Sequence, residues 1–255
     1  MIDPFEAGDR LPRESWALNF FQQVKAEAVL LGPLDADRYK LLEKELAAIP
    51  RLVVFDALDP LPVSHVGLDM PGSCRMAMEY LYRAEHRRIG YLGLNRFDAA
   101  SDSPFTRYAL YRAFLAEHRL EFRDDWIIRT SAAGPEPEML DAVKRLLTGE
   151  HRVTALLCHE DAFGLLALKA AAECGIAVPE DLSVIGFDDQ PSAWLAHPGL
   201  TTIHFDINSY VDKLVEFTLE AVNTPAGSVP PVRQYREQPR LVVRDSVARI
   251  THLPV

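Results

Sequence analysis

Short apolar runs alternate with helix-patterned stretches along almost the whole chain. EAVLLG (27–32) has the β-formers of a buried strand. DADRYKLLEKELAAI follows, with Asp35 placed as N-cap and Tyr39, Leu42, Leu46 and Ile49 on one helical face. RLVVFD (51–56) and HVGLD (65–69) predict two more strands, and Ser73 is placed to cap a helix carrying Met76, Ala77, Tyr80 and Leu81. RRIGYLGL (87–94) returns to strand.

The second half keeps the rhythm. Thr106 opens a helix with Tyr111, Phe114, Leu115 and His118 on one side, WIIR (126–129) is a strand, and PEPEMLDAVKRLL a helix with Pro135 or Pro137 in its first turn. TALLCHE (154–160) is a strand, and the helix after it is closed by Gly175. LSVIGFDD and TTIHF are strands, Ser209 to Asn223 a helix, and REQPRLVVRDS a closing strand. Such alternation means right-handed βαβ crossovers and mostly parallel sheets with helices on both faces. More than eight strands crowd a single sheet, so the expected fold is α/β with two doubly wound parallel-sheet lobes. The Pro-rich PAGSVPP (225–231) suits a crossing between them.

Composition narrows the partners. The chain carries 27 basic and 37 acidic side chains, a net charge of -10, which argues against its gripping a phosphate backbone directly. Cys74, Cys158 and Cys174 lie among apolar neighbours without CxxC spacing and are expected to be buried hydrophobes. MIDPFEAGDRLPRES lacks the basic-then-apolar order of a secretory signal, and no stretch approaches the roughly 20 apolar residues of a membrane span. The expectation is a cytoplasmic protein that engages no membrane.

Three strands end on acids: VPEDLSVIGFDD at Asp188 and Asp189, TALLCHED at Glu160 and Asp161, HVGLD at Asp69. Ligands of open parallel sheets bind beyond the carboxyl ends of the strands, and ionised carboxylates there are strong acceptors for hydroxyls or amines. One acid of the Asp188–Asp189 pair can instead cap the following helix-like QPSAWLA, and Asp161 suits an N-cap. Catalysis is not expected. His159 and Glu160 alternate faces on a strand, and no P-loop, GxSxG, HExxH or Rossmann glycine set is present. No catalytic residue, metal site or cofactor is called for.

VPEDLSVIGFDD followed by HPGLTTI resembles the effector-binding core of the lactose-repressor (LacI/GalR) family of bacterial transcription regulators. HRRIGYLG (86–93), TALLCHEDAFGLLAL (154–168) and PRLVVRDS (239–246) match it too, in order and spacing over roughly 27–247. The resemblance implies a periplasmic-binding-protein-like fold with three interlobe crossings, near 97, 205 and 226. The lobes are then 1–97 with 206–225, and 98–205 with 226–255. It implies a sugar-, nucleoside- or purine-like effector between the lobes, a homodimer, and DNA contact only through a separate headpiece. An exported solute-binding protein for sugar transport is the alternative on the same fold.

By the same resemblance the ligand-binding residues are Asp188, Arg107, Asp69, Glu160 and Phe205. Asp188 matches the ligand carboxylate of the family and Arg107 the arginine that opens the helix after the first crossing; the alternative for Arg107 is a salt bridge to a Glu117-type neighbour. Glu160 stands where the family usually has Asn, which favours a ligand with an amine or several hydroxyls. Ser131–Gly134 brings no aromatic ring where relatives stack one, around Ala132; Phe205, at a crossing, is the candidate to line the cleft. Glu85 and Leu110 replace family glycines. The chain shows no helix-turn-helix headpiece or hinge helix. MIDPFEAGD before the helix expected at 13–24 is too short for the strand–helix–strand, roughly 40 residues, that opens the family's first lobe. The first lobe is therefore expected to be truncated, with an uncovered sheet edge.

Overall fold

The computed structural model describes residues 18, 20, 21, 23, 26–49, 51–94, 104–131, 134–225 and 228–250. In chain order the elements begin with β1 (Val29–Leu31), α1 (Ala36–Leu41), α2 (Glu43–Ala47), β2 (Leu52–Phe55), β3 (Ser64–Leu68), α3 (Met70–Arg83), β4 (Ile89–Leu94) and α4 (Arg107–Glu117). They continue with β5 (Ile127–Thr130), α5 (Pro137–Thr148), β6 (Ala155–Cys158), α6 (Asp161–Glu173), β7 (Ser183–Phe187) and α7 (Pro191–Leu195). The last are β8 (Thr201–His204), α8 (Ile207–Asn223), β9 (Gln234–Glu237) and β10 (Arg240–Val242). Most expected elements form. The helix expected at 13–24 falls largely outside the described residues.

Two compact units divide the chain: residues up to Leu68 with Ile207–Glu237, and Asp69–Asp206 with Gln238 onward. Only the crossing expected near 205 coincides with this division. The position near 97 is outside the described residues, and the first boundary falls at Leu68/Asp69 because β4 pairs with β5 and β6 in the second unit. The third falls at Glu237/Gln238 rather than near 226, because β9 still pairs with β3. The expected single closing strand is therefore two strands in two sheets.

The first unit holds a parallel sheet in the order β1-β2-β3-β9. Strand alternation sends neighbouring side chains of β2 to opposite faces. Val53 joins Val66, Tyr210, Phe217 and Ala221 under α8, whereas Leu52 and Val54 join Leu18, Val29, Leu42 and Leu46 on the other side. The helix expected as one piece from Asp35 breaks at Leu42; Asp35 caps α1 by accepting from the Arg38 amide at 2.8 Å.

The second unit holds a sheet in the order β10-β8-β7-β6-β4-β5, parallel except for the β10–β8 pair. One core cluster joins Leu92, Leu156 and Val184 of the strands to Val143 and Leu147 of α5 and Phe163, Ala167 and Ala171 of α6. Each is at most 2% exposed, so at roughly 25 cal/mol per Å² these side chains supply much of the unit's stability. On its other face α3 packs against α4, with Tyr82 edge-on to Phe114 at 6.2 Å. From β4 the chain runs first to β5 on one side, then to β6, β7 and β8 on the other. The reversal falls between β4 and β6. In open α/β sheets the ligand crevice lies at such a switch point, beyond the carboxyl ends of the strands.

Candidate functional site

The carboxyl ends of β4, β6 and β7 gather polar groups in the second unit. Thr106 caps α4 by accepting from the Ala109 amide at 3.2 Å, which sets Arg107 as the first helical residue. The Arg107 side chain is only 8% exposed, and its Nη2 stands 3.5 Å from Asp188 Oδ1. Its guanidinium also lies 4.5 Å from the centroid of the Phe187 ring, a cation–π contact. Its Nε is buried without a hydrogen-bond partner. A buried donor left open costs about 1–3 kcal/mol. The alternative salt bridge does not form: Glu117 pairs with Arg75 at 2.8 Å.

Asp188 and Asp189 follow β7 in left-handed backbone, at φ 94 and 51. Neither caps α7, whose N-cap is Gln190 without a side-chain cap bond. Asp189 is spent locally, accepting from Arg244 Nη2 and meeting His204 Nδ1 at 3.0 Å. Asp188 keeps a third of its side chain exposed, with Arg107 as its ion-pair partner.

Glu160 is half-buried and forms the N-cap of α6 without a side-chain cap bond. β6 and β7 are adjacent parallel strands, so Glu160 and Asp188 follow neighbouring strand ends, close enough for their charges to interact. Burial, then the Asp188 charge, raises the Glu160 pKa, with Arg107 opposing. Asp161, expected as the N-cap, is instead the first residue of α6 and fully buried. Its carboxylate accepts from the Thr202 hydroxyl at 2.6 Å and the Gln190 amide at 2.7 Å. Burial still pushes its pKa up to about 6.

Two of the expected site residues do not join Arg107, Asp188 and Glu160 by any described contact. Asp69 caps α3, accepting from the Gly72 amide at 3.0 Å. It takes the role that the sequence pattern gave to Ser73, which lies inside the helix and donates to the Met70 carbonyl. Phe205 is an apolar side chain 2% exposed. The segment around Ala132 lies outside the described residues.

Other residues enter the cluster unannounced. The Tyr91 hydroxyl meets His159 Nδ1 at 2.9 Å. Burial and the Arg107 charge hold the His159 pKa well below its ordinary value. Tyr108 stands 5.4 Å from Tyr91, centroid to centroid, with the Arg129 guanidinium 4.1 Å from its own. Arg129 was findable: it is a base near a strand tip, the counterpart of the acids. Gly93 is required here, because a Cβ would collide with that of His159. Among the described residues no group of three His, Cys, Asp or Glu converges to hold a metal ion. A separate cavity of about 420 Å³, lined by Trp126, Arg145 and His151 among others, lies toward the amino ends of β5 and β6 and contains none of these groups.

This arrangement offers a fork of donors, two carboxylates and aromatic edges around one strand-tip switch point. It can hold a small polar molecule by paired hydrogen bonds. Residues 57–247 match the model of the periplasmic binding protein-like domain. An HTH-type transcriptional repressor PurR from Haemophilus influenzae is 32% identical over 177 residues, which cover 69% of this chain and 51% of the repressor. The chain thus spans about half the length of the curated relatives it matches. Among solved structures, a Sanguibacter keddieii protein assigned to the LacI family of transcriptional regulators is 29% identical, with a TM-score of 0.71 over 92% of this chain and 83% of that one. A LacI-family regulator from Lactobacillus casei with bound glucose shares the fold at 21% identity, with a TM-score of 0.76 over 93% of this chain and 85% of that one. The chain belongs to the periplasmic binding protein-like domain family.

Proposed function

We infer that this chain is the ligand-sensing part of a LacI-type transcription regulator. A small hydroxylated metabolite, sugar- or nucleoside-like, is held at Arg107, Asp188 and Glu160, with Asp69 and Phe205 as outer candidates. The observation that carries this reading is Arg107, an almost fully buried guanidinium with an open Nε beside Asp188 at the switch point. A buried fork beside a carboxylate suits a ligand with adjacent donors and acceptors.

Binding then biases one of two conformations of the protein, and that bias controls DNA binding by a segment outside the matched region. The acidic chain itself is not the DNA reader. A homodimer in the cytoplasm is the expected form. The relatives are transcription regulators, which are not enzymes, and the described residues include no helix long and apolar enough to cross a membrane. The kinship with repressors favours this reading over a transport solute-binding protein.

A thermal-shift screen against sugars, nucleosides and purines, repeated with Arg107→Ala, tests it. The expected result is a stabilising ligand whose effect disappears in the variant. Stabilisation that survives the loss of Arg107, or none with any compound of these classes, overturns it.

A further inference from the structure

Among the described residues, the acids at the site outnumber the cations that reach them. Four acids follow β6 and β7, and two are consumed: Asp161 by Thr202 and Gln190, Asp189 by Arg244 and His204. Asp188 and Glu160 remain, on the ends of adjacent strands, and Arg107 is the described cation whose charge reaches Glu160, whereas Arg129 lies over the Tyr108 ring. Burial and the Arg107 charge disfavour a positive charge on His159, whose Nδ1 meets the Tyr91 hydroxyl. Glu160, the N-cap of α6, makes no side-chain cap bond and has no hydrogen bond or ion pair among the described residues.

A ligand that fills this site displaces the water around Glu160. Desolvating a carboxylate without a counter-charge is costly, and a neutral hydroxyl offsets only part of that cost. An ammonium group offsets it directly and forms a charge-assisted hydrogen bond. We propose that the physiological ligand is a hydroxylated amine, its protonated nitrogen on Glu160 and its hydroxyls on the Asp188–Arg107 pair. This rests on the ligand-sensing reading above and specifies its chemistry. The uncompensated Glu160 beside an internally paired Arg107–Asp188 carries it, and the open Nε of Arg107 shows the same site unfilled from within.

Paired probes test the proposal, by calorimetry and thermal shift in an amine-free buffer: D-glucosamine against D-glucose, and tris(hydroxymethyl)aminomethane against pentaerythritol. Within each pair an amino group takes the place of one hydroxyl or hydroxymethyl group. The amine member is expected to bind about tenfold or more tightly. Glu160→Gln, which keeps the shape and removes the charge, is expected to erase that preference, while Glu180→Gln, on an exposed turn elsewhere, keeps it. Equal or better binding of the neutral members, no binding of either amine, or a preference that survives Glu160→Gln overturns it. Neutral-sugar binding that depends on Arg107 but shows no amine preference sinks this inference and leaves the ligand-sensing reading standing.

Discussion

Thr202 on β8 donates a 2.6 Å hydrogen bond to Asp161, the residue that opens α6 after β6. Two strand ends that are not neighbours in the sheet are thereby tied through one carboxylate, which also holds the Gln190 amide. Gly186 of the intervening β7 lies so close that a Cβ there would collide with Asp161. The acid frames the site without facing a ligand.

Asp161→Ala leaves a buried hydroxyl and a backbone amide without their acceptor and is expected to destabilise the protein by about 3 kcal/mol. Asp161→Asn retains one carbonyl oxygen and loses less. The Asp161 pKa, raised to about 6 from 3.8 by burial, adds a pH signature. Its share of stability is full below pH 3.8 and declines as pH rises through 6. Urea unfolding across that range reads both effects: Asp161→Asn is expected to lack this decline, so its stability rises more steeply with pH between about 4 and 6 than that of the parent.

Arg107→Ala and Asp188→Ala are each expected to weaken effector binding by about thirtyfold or more, since each strands the partner charge. Far-UV circular dichroism is expected to stay unchanged. Calorimetry with a ligand found by screening decides it: normal binding by both variants means that the ligand sits elsewhere.

His86 gives acid sensitivity. It is 2% exposed, with Nε2 against the Ala248 carbonyl at 3.1 Å and Ser183 Oγ at 2.9 Å, and Nδ1 against Thr154 Oγ1 at 3.0 Å. Burial lowers its pKa to about 4 from 6.5. A depressed pKa means that its stabilising share is full above pH 6.5 and is lost as pH falls through 4. The loss approaches roughly 3 kcal/mol. His86→Gln is expected to lower stability at pH 7 and to flatten this acid limb in thermal melts.

The strands and their order were legible because each apolar run is bounded by a cap or turn residue: Thr106 before α4, Gly175 after α6, Pro137 at the start of α5. Arg107 and Asp188 were legible as a strand-and-helix-start motif. Roles that depend on which of several neighbours a side chain reaches were not. Asp188 and Asp189 are adjacent and chemically alike, yet only the position of Arg244, 55 residues away, decides that Asp189 is the one consumed. The capping role of Asp69 was not legible, because a strand tip and a helix cap look identical when the helix start is misplaced by a few residues. The first division of the chain was misplaced for a related reason: β4 reads as a strand wherever it sits, and its partners β5 and β6 come later in sequence.

Gly93→Ala tests how closely β4 and the end of β6 must approach. The added methyl meets the Cβ of His159, and both backbones are fixed by the strand pairing, so neither yields easily. A loss of about 2 kcal/mol is expected, with the Tyr91–His159 bond disturbed. A shifted His159 ring resonance in NMR, alongside a lower melting temperature, is the readout.

β9 closes one sheet and β10, two residues later, closes the other. During synthesis both sheets therefore wait for the same late stretch of polypeptide. A nascent chain halted at residue 233 carries two unpaired edges at once, on β3 and on β8, and each is a template for another chain's strand. Maturation of both halves is gated by a single event, the emergence of residues 234–242 from the ribosome.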